Sequence, residues 1–598
     1  MSSFSRLRER QRDLSAAASS RADRVVAQLT RLGIDENTLL IGFALAIGTA
    51  VGVAVIGFYK LIDLAQSVAL TAVGRLTGFG SAAIVLVVIA GLGIARLLVR
   101  WGARDSEGEN IPDVMLSVAK RGGTIHATPV AVKTAAAAVA IGTGGSVGAE
   151  GPVAVAGSAL GSSIGRFFRS GPERLRLLVA CGAAAGISAA FNAPIAGVFF
   201  SLEKVIGTFG VRAFPPVLVA SVIAAAISRA AFGASPVIEI PTEYAVGSPS
   251  ELVLYAILGI VTGVVAVFYT RSVFRLHDRL HLLAAPWQRI VLGALLVGVL
   301  DVFFKADLWG QGHETLSIEI IGARAGYFLI ALAFAKVLAT GVTLAVTRAG
   351  GVFTPALFIG ATLGGGLAVT ARDLIPGLDI IPEAFALVGM AGLLAGATHA
   401  PLTAIMIVFE MTSDYALILP LMLCGAMAFI TSRRIHPESI YSEWLVRRGE
   451  HIQLGRDTAI MEGLRVGDFC ERNPDVVGEG ASVAQILQAI GRSRQTEFPV
   501  LDADLGLVGM LTYDDLRTVL TDVDRLEALV LASDLVSPNY ERVTPEDSLA
   551  TALQRLAVRG SHSIPVVDAA HPKRLVGVIG RQEILAAYDR ELLRRRGS

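Results

Sequence analysis

The sequence predicts an all-α polytopic membrane domain built of two homologous halves, followed by a soluble α/β repeat pair. Three observations carry this reading. The 598 residues are 53% hydrophobic and only 17% charged, with a mean hydropathy of +0.61, whereas a soluble chain is about 25% charged. Apolar segments run to about residue 432 and then give way to a stretch with charges throughout. Short patterns recur inside the apolar part, and different ones recur inside the charged part. The 63 glycines fit a polytopic helical protein, where glycine is commoner than in soluble helices. Lys+Arg total 52 and Asp+Glu 51, so no basic excess points to nucleic acid.

Residues 1–35 read as a cytoplasmic N-terminal segment. Residues 1–32 carry seven Arg and three acidic residues, with no apolar core of a signal peptide. The first apolar run follows directly, so the positive-inside rule puts the N-terminus in the cytoplasm. Residues 38–59 hold no charge, and a run of that length crosses a ~30 Å hydrocarbon core as one helix. Residues 76–95 do the same. The later runs 127–142, 152–165, 174–188, 192–202, 354–370, 385–398 and 400–409 are short or broken by Gly and Pro. They are expected to be part-spanning helices. Because backbone in lipid must stay hydrogen-bonded, broken helices belong in the protein interior or beside a watery path, as in a transporter or channel.

The membrane part, residues 36–432, repeats. PVAVAGSALG at 152–161 matches PALFIGATLG at 355–364, and APIAGVFFSLE at 193–203 matches APLTAIMIVFE at 400–410. The offsets, 203 and 207, agree closely, so the halves are placed at about 36–235 and 250–432. Arg433, Arg434, Arg447 and Arg448 mark the cytoplasmic side again. Residues 433–460 read as a linker. FPVLDADLGLVGMLTYDDL at 498–516 and IPVVDAAHPKRLVGVIGRQEIL at 564–585 each give a strand, a turn, a strand and a helix start. The two soluble repeats are placed at 461–525 and 530–598.

Three Gly/Pro turns precede helix-compatible runs: GENIP at 108–112, GGSVGAEGP at 144–152 and GGVFTP at 350–355. Pro suits the first helical turn, and a helix N-terminus presents unpaired N–H groups and about +0.5 of charge. Several such ends meeting inside a membrane would hold a dehydrated anion without a fixed cation that retains it. The candidate anion ligands are Gly108, Glu109, Asn110, Ile111, Gly148, Gly151, Gly351, Val352, Phe353 and Thr354. Glu150 is the one carboxylate in the second turn. A charge at this depth is costly and reads as functional. It can take the anion's place and leave on protonation. Otherwise it is an N-terminal acid held by the helix dipole.

GSVGAEGP, GVFTP, the GENIP turn and Tyr441 in SIYSEWL together resemble the CLC chloride channel and transporter family, and the charged repeats resemble a CBS pair. The likeness spans nearly the whole chain. It implies inverted-topology halves and a homodimer with one anion path per subunit. It also implies Glu150 as gating glutamate, backbone N–H groups around Phe353 on the anion, and the Tyr441 hydroxyl at the inner end. Without the family, Tyr441 reads as an interfacial belt tyrosine. Two positions depart from the family. Its usual GSGIP turn carries a serine where this chain has Glu109, whose carboxylate would repel chloride. That side chain points away, or is protonated, or the central site is altered. Coupled exchangers carry a second glutamate, the inner proton acceptor, where this chain has Lys204 after Glu203. Lys204 reads as a proton relay, as a cation at the cytoplasmic mouth, or as a snorkelling lysine.

In the first soluble repeat, Thr512 and Asp515 fit the pattern that contacts a ribose. The second repeat has Gly580 and Glu583 there, so at most one adenine nucleotide per subunit is expected. Thr512 and Asp515 as a plain helix cap is the other reading. Cys181, Cys424 and Cys470 form no CxxC pair, so no metal site or disulfide framework is expected. No other cofactor is required. No nucleophile–base set supports an enzyme. A magnesium-type cation channel would need clustered pore carboxylates, and the apolar part offers chiefly Glu150, Glu203 and Glu410. The function expected is chloride transport across a bilayer, in a plasma or inner membrane, with both termini cytoplasmic. Other small anions and H+ are further candidate cargoes. Lys204 tilts the reading to a passive or weakly proton-coupled channel gated by Glu150, with an H+/Cl− antiporter as the alternative.

Overall fold

The computed structural model describes residues 36–103, 110–233, 249–282, 285–305, 307–312, 322–375, 380–450, 461, 463–493, 495, 497–512, 515, 530–536, 540–559 and 562–596. They divide into two compact units, Met1–Ile452 and Gln453–Ser598. The N-terminal segment 1–35, Gly108 and Glu109 lie outside the described residues.

In the first unit the helices are α1 (Glu36–Arg75), α2 (Ala82–Gly102), α3 (Ile111–Lys120), α4 (Ala127–Gly142), α5 (Glu150–Phe167), α6 (Pro172–Phe191), α7 (Pro194–Phe200) and α8 (Phe214–Phe232). The second half continues with α9 (Pro249–His281), α10 (Pro286–Phe303), α11 (Gly326–Thr347), α12 (Phe353–Leu374), α13 (Pro382–Thr398), α14 (Pro401–Thr412) and α15 (Ile418–Ile435). Eight described helices are long and apolar enough to cross a membrane. Two runs expected to be part-spanning, 174–188 and 354–370, sit inside helices of 20 and 22 residues. The first helix already carries Arg174 and Arg176 inside the run and extends to Phe191, and the second continues past its run through Arg372 and Asp373. Charged side chains at a helix end reach the interface without breaking the backbone pattern. By contrast, α4, α13 and α14 are short apolar helices.

Helix packing follows the repeat. In the first half α5 packs on α6, α6 on α8, and α1 on α8; in the second, α12 packs on α13, α13 on α15, and α9 on α15. Glycine permits the tightest of these crossings. A Cβ on Gly157 would meet the Gly182 carbonyl oxygen at 2.1 Å, and one on Gly182 the Gly157 oxygen at 2.0 Å. In the second half Gly360 and Gly389 stand in the same relation, at 2.3 and 2.4 Å. Such backbone contact drives helix association where lipid removes any hydrophobic force. Across the halves, α2 packs on α10 and α7 on α14.

The chain stays in this unit beyond α15. The Ile440 amide donates to the Ala397 carbonyl at 2.9 Å, and α16 (Ser442–Val446) packs on α3. The described residues 436–450 are therefore part of the membrane unit, where the charges at Arg433, Arg434, Arg447 and Arg448 had suggested a linker. Arg447 is paired with Asp278 and Glu443, and Arg448 with Asp113.

The second unit contains two copies of one motif. Strands β2 (Glu497–Leu501) and β3 (Leu507–Thr512) pair antiparallel with β1 (Val477–Gly478) parallel beside β2, and β4 (Ser563–Val567) pairs antiparallel with β5 (Leu575–Gly580). Both hairpins carry a bulge at the same place, between Val500 and Leu501 and between Val566 and Val567. Helix α17 (Val483–Arg492) precedes the first hairpin, α18 (Leu549–Arg559) precedes the second, and α19 (Arg581–Arg596) follows it. Glu497, 5% exposed, links the copies by accepting from the His562 and Ser563 amides and the Ser563 hydroxyl at 2.7–3.0 Å.

Candidate anion path

Two of the three turns meet. The Gly148 amide donates to the Gly351 carbonyl at 2.9 Å, and the Gly351 amide to the Gly148 carbonyl at 2.8 Å. These glycines are repeat equivalents, 203 positions apart. A two-way antiparallel bridge between equivalent residues is what a two-fold axis between the halves produces. The bridge brings the N-termini of α5 and α12 together. The loop before α5 is fastened from below, because Ser146 donates its amide to Thr343 Oγ1 at 3.2 Å and shares a hydroxyl bond with Thr340 at 3.0 Å. The loop before α12 is held by Tyr269, whose hydroxyl donates to the Val352 carbonyl at 3.2 Å.

Glu150 opens α5 and is 1% exposed. Its carboxylate reaches across to α12 and accepts from the Thr354 hydroxyl through Oε1 and from the Thr354 amide, at 3.4 Å, through Oε2. The carboxylate thus sits where two helix N-termini offer positive charge. A Cβ on Gly148 would lie 2.1 Å from Oε2, so only glycine leaves room for the docked carboxylate.

A cavity of about 620 Å³ leads up to this point, and Gly151, Gly351, Val352, Ile111, Asn110 and Tyr441 are among its lining. Glu150 does not line it; the carboxylate sits beyond its end. Tyr441 is 4% exposed and stacks on Phe353 with centroids 6.2 Å apart. Its hydroxyl has no hydrogen-bond partner among the described residues. The burial of Tyr441 differs from that of a belt tyrosine, which faces the membrane–water interface. Phe353 is also held edge-on by Phe200 at 5.6 Å. At the third turn, the Asn110 amide is already taken by Asp113 Oδ2 at 3.1 Å, inside a capping box at the start of α3. The Asn110 N–H is therefore spent on its own helix rather than offered to an anion.

Lys204 lies in a π-helical turn, Ser201–Ile206, and is 6% exposed. Beside it, Glu203 accepts from the Thr403 amide at 3.0 Å and hydroxyl at 2.7 Å, at the N-terminus of α14. Its repeat equivalent, Glu410, accepts from the Ile195 and Ala196 amides at 3.0 and 2.7 Å, at the N-terminus of α7. Each half thus caps a helix of the other. The sequence showed both carboxylates as repeat ends but gave no signal of this exchange. The two acids are engaged as caps, and no group of three or more potential metal ligands occurs among the described residues. A second feature the sequence reading passed over is Lys336, fully buried in α11. It donates to the Leu308 and Gly310 carbonyls at 3.0 Å each and lies over the Phe358 ring. A lone charge inside an apolar run was the available signal.

In the second unit, Thr512 donates its amide and hydroxyl to Asp515 Oδ2 at 2.8 and 2.7 Å. This is helix-capping geometry. The three cysteines are free thiols.

A family model described as voltage gated chloride channel matches residues 90–433, and the CBS domain model matches 466–522 and 532–590. A putative chloride channel protein ClcB-like from Ralstonia nicotianae is 34% identical over 367 residues, covering 60% of this chain and 85% of that one. An H(+)/Cl(-) exchange transporter ClcA from Yersinia pestis is 28% identical over 457 residues, 74% of this chain and 95% of its own. The crystal structure of a slow cyanobacterial Cl-/H+ antiporter matches with a TM-score of 0.62 at 26% identity, over 69% of this chain and 98% of that one. A eukaryotic CLC transporter shares the fold over 91% of this chain and 97% of its own, with a TM-score of 0.60 at 21% identity. With the family model matched over residues 90–433, two converged helix N-termini with a carboxylate docked on them, and a CBS pair later in the sequence, this chain belongs to the CLC family of voltage-gated chloride channels and transporters.

Proposed function

We propose that the chain moves chloride along the cavity between Tyr441 and the joined N-termini of α5 and α12, with Glu150 as the gate and only weak coupling to protons. The observation that carries this reading is the Glu150 carboxylate on the Thr354 amide and hydroxyl. These groups would serve a chloride ion equally well, so carboxylate and anion compete for one place. Protonation removes the charge and most of the attraction, the side chain leaves, and chloride enters. The unpaired Tyr441 hydroxyl at the other end supports the same path. Arginines in the cavity lining raise the local chloride concentration.

Weak coupling rests on Lys204. The neighbouring carboxylate, Glu203, is tied to Thr403, and a cation stands where coupled relatives place an acid. The second reading is an H+/Cl− antiporter, in which Glu150 also carries the proton. The similarity to an exchange transporter and to an antiporter structure favours it. Either form is read as a homodimer in a plasma or inner membrane with both termini cytoplasmic, as the family resemblance implies. The test is the reversal potential of the purified protein in liposomes, with chloride and pH gradients imposed separately. Weak coupling gives a potential that follows chloride and barely moves with pH. A potential displaced strongly by the pH gradient alone establishes the antiporter, and an absence of chloride current refutes both.

A further inference from the structure

Lys336 touches both sides of the place where Glu150 docks. It is fully buried in α11, and its ammonium donates to the Leu308 and Gly310 carbonyls at 3.0 Å each. Both carbonyls belong to the short segment that follows α10. That segment packs against the loop before α5, where a Cβ on Gly144 would lie 3.0 Å from Trp309 Cε3. It also packs against α12, where a Cβ on Gly312 would lie 2.6 Å from Phe358 Cδ2. Phe358 follows Thr354 by one turn, and Lys336 lies 4.8 Å from its ring centroid. On the Lys336 face of α11, at i+4 and i+7, Thr340 and Thr343 hold Ser146 of the loop before α5. One side chain thus joins the loop that carries Glu150 to the helix that receives its carboxylate.

A buried cation needs a balancing charge, and the register of α10 on α11 supplies one. At one end of the pair Arg289 of α10 and Arg348, just after α11, both bond His281. One turn on, Gly293 abuts Val342 and Val346, which a Cβ there would meet at 3.1 and 2.4 Å. The helices therefore run antiparallel in step, and about two further turns bring Asp301 level with Lys336. Gly293, Val297 and Asp301 share one face of α10, and Val297 and Asp301 are 0% exposed. Neither Asp301 oxygen has a hydrogen-bond partner among the described residues, and the two carbonyls take only two of the three Lys336 donors. We propose that Lys336 is a positioning residue for the Glu150 gate and that Asp301 is its counterion. Lys336 fixes the loop before α5 against the start of α12, and Asp301 cancels its field there. The inference rests on the reading of Glu150 as the gate. Other charges on helices packed against α11 stand elsewhere. Arg96 and Arg100 of α2 and Lys133 of α4 line the cavity with Leu344 and Arg348. Arg271 of α9 donates to the Ile435 carbonyl, and Arg372 lies in the last turn of α12. The titratable groups around Glu150 are the phenols Tyr59, Tyr269 and Tyr441, which are uncharged at neutral pH.

The test is chloride efflux from liposomes across a pH series for wild type, Asp301→Asn, Lys336→Met and the double variant. Asp301→Asn leaves the Lys336 charge uncancelled. That charge favours ionised, docked Glu150, so opening requires a lower pH. Over roughly 12 Å at an effective dielectric of about 20, the midpoint is expected to fall by about one pH unit. On the Lys336→Met background, Asp301→Asn is expected to leave the midpoint where Lys336→Met alone puts it. Asp301→Glu keeps the charge and is expected to stay near the wild-type midpoint. An unchanged or higher midpoint in Asp301→Asn, the same shift on both backgrounds, or the same shift in Asp301→Glu overturns the proposal. Thermal unfolding in detergent tests the pair without transport. Each single variant is expected to lower Tm, and the double variant to lower it by less than the two losses combined; additive losses overturn the pairing. Wild-type flux that ignores pH would refute the gate reading, and the unfolding cycle would still decide the pair.

Discussion

Thr354→Val removes one of the two groups that hold the proposed gate, Glu150, in its docked position. The Thr354 hydroxyl donates to Glu150 Oε1 while its amide donates to Oε2 at 3.4 Å. Valine keeps the amide and nearly the shape but deletes the hydroxyl. A hydrogen bond to a charged group contributes about 1.5–3 kcal/mol. That bond stabilises the ionised, docked carboxylate far more than the protonated one. Its loss weakens docking by roughly tenfold to a hundredfold. Because one pH unit corresponds to about 1.4 kcal/mol, the pH at half-maximal chloride flux should move upward by about one to two units. The sign follows from which form loses the bond: less help for the ionised carboxylate means that protonation, and opening, occurs at higher pH. The assay is chloride efflux from liposomes across a pH series for wild type, Thr354→Val and Thr354→Ser, with serine expected to stay near wild type. A midpoint that is unchanged or lower in a well-folded valine variant refutes the competition between carboxylate and anion.

Gly148→Ala places a Cβ 2.1 Å from Glu150 Oε2; it should displace the carboxylate and flatten the pH dependence of flux, measured in the same efflux assay. Glu410→Ala leaves the Ile195 and Ala196 amides without their acceptor; loss of a helix cap of this kind costs about 1–2 kcal/mol, seen as a lower Tm in detergent. Glu203→Ala should cost a similar amount, since it caps α14 in the reciprocal arrangement. Lys204→Glu should raise the number of protons moved per chloride, read from paired proton and chloride fluxes; wild-type protein that drives protons uphill, and loses this in Lys204→Met, would make Lys204 a relay.

The membrane fold was legible where a local pattern has one physical meaning. Gly-rich turns followed by Pro marked helix starts, and the offset of 203 between Pro152 and Pro355 marked the halves. The same short motifs placed Glu150 and Phe353 at helix starts. What could not be read were contacts between distant residues. Glu203 meets Thr403 across 200 positions, and Tyr269 holds Val352 across 83; neither leaves a trace in local spacing. The Asn110 amide looked available, but Asp113 three residues on takes it. The helix end was misjudged at 354–370 because Arg372 and Asp373 end the apolar run without ending the helix, and at 174–188 because the small residues Ala189 and Ala190 continue the helix to Phe191. Residues 436–450 looked like a linker because their arginines hid the acidic partners Asp113 and Asp278, more than 160 positions away.

The central claim is that ionised Glu150 and chloride share one place. The most direct measurement is chloride flux against pH for wild type and Glu150→Gln, reconstituted side by side. Glutamine copies the protonated side chain, so the account gives wild-type flux that rises as pH falls and variant flux that is high and nearly independent of pH. A folded Glu150→Gln protein that keeps the wild-type pH dependence would make Glu150 a helix cap and put the gate at another residue.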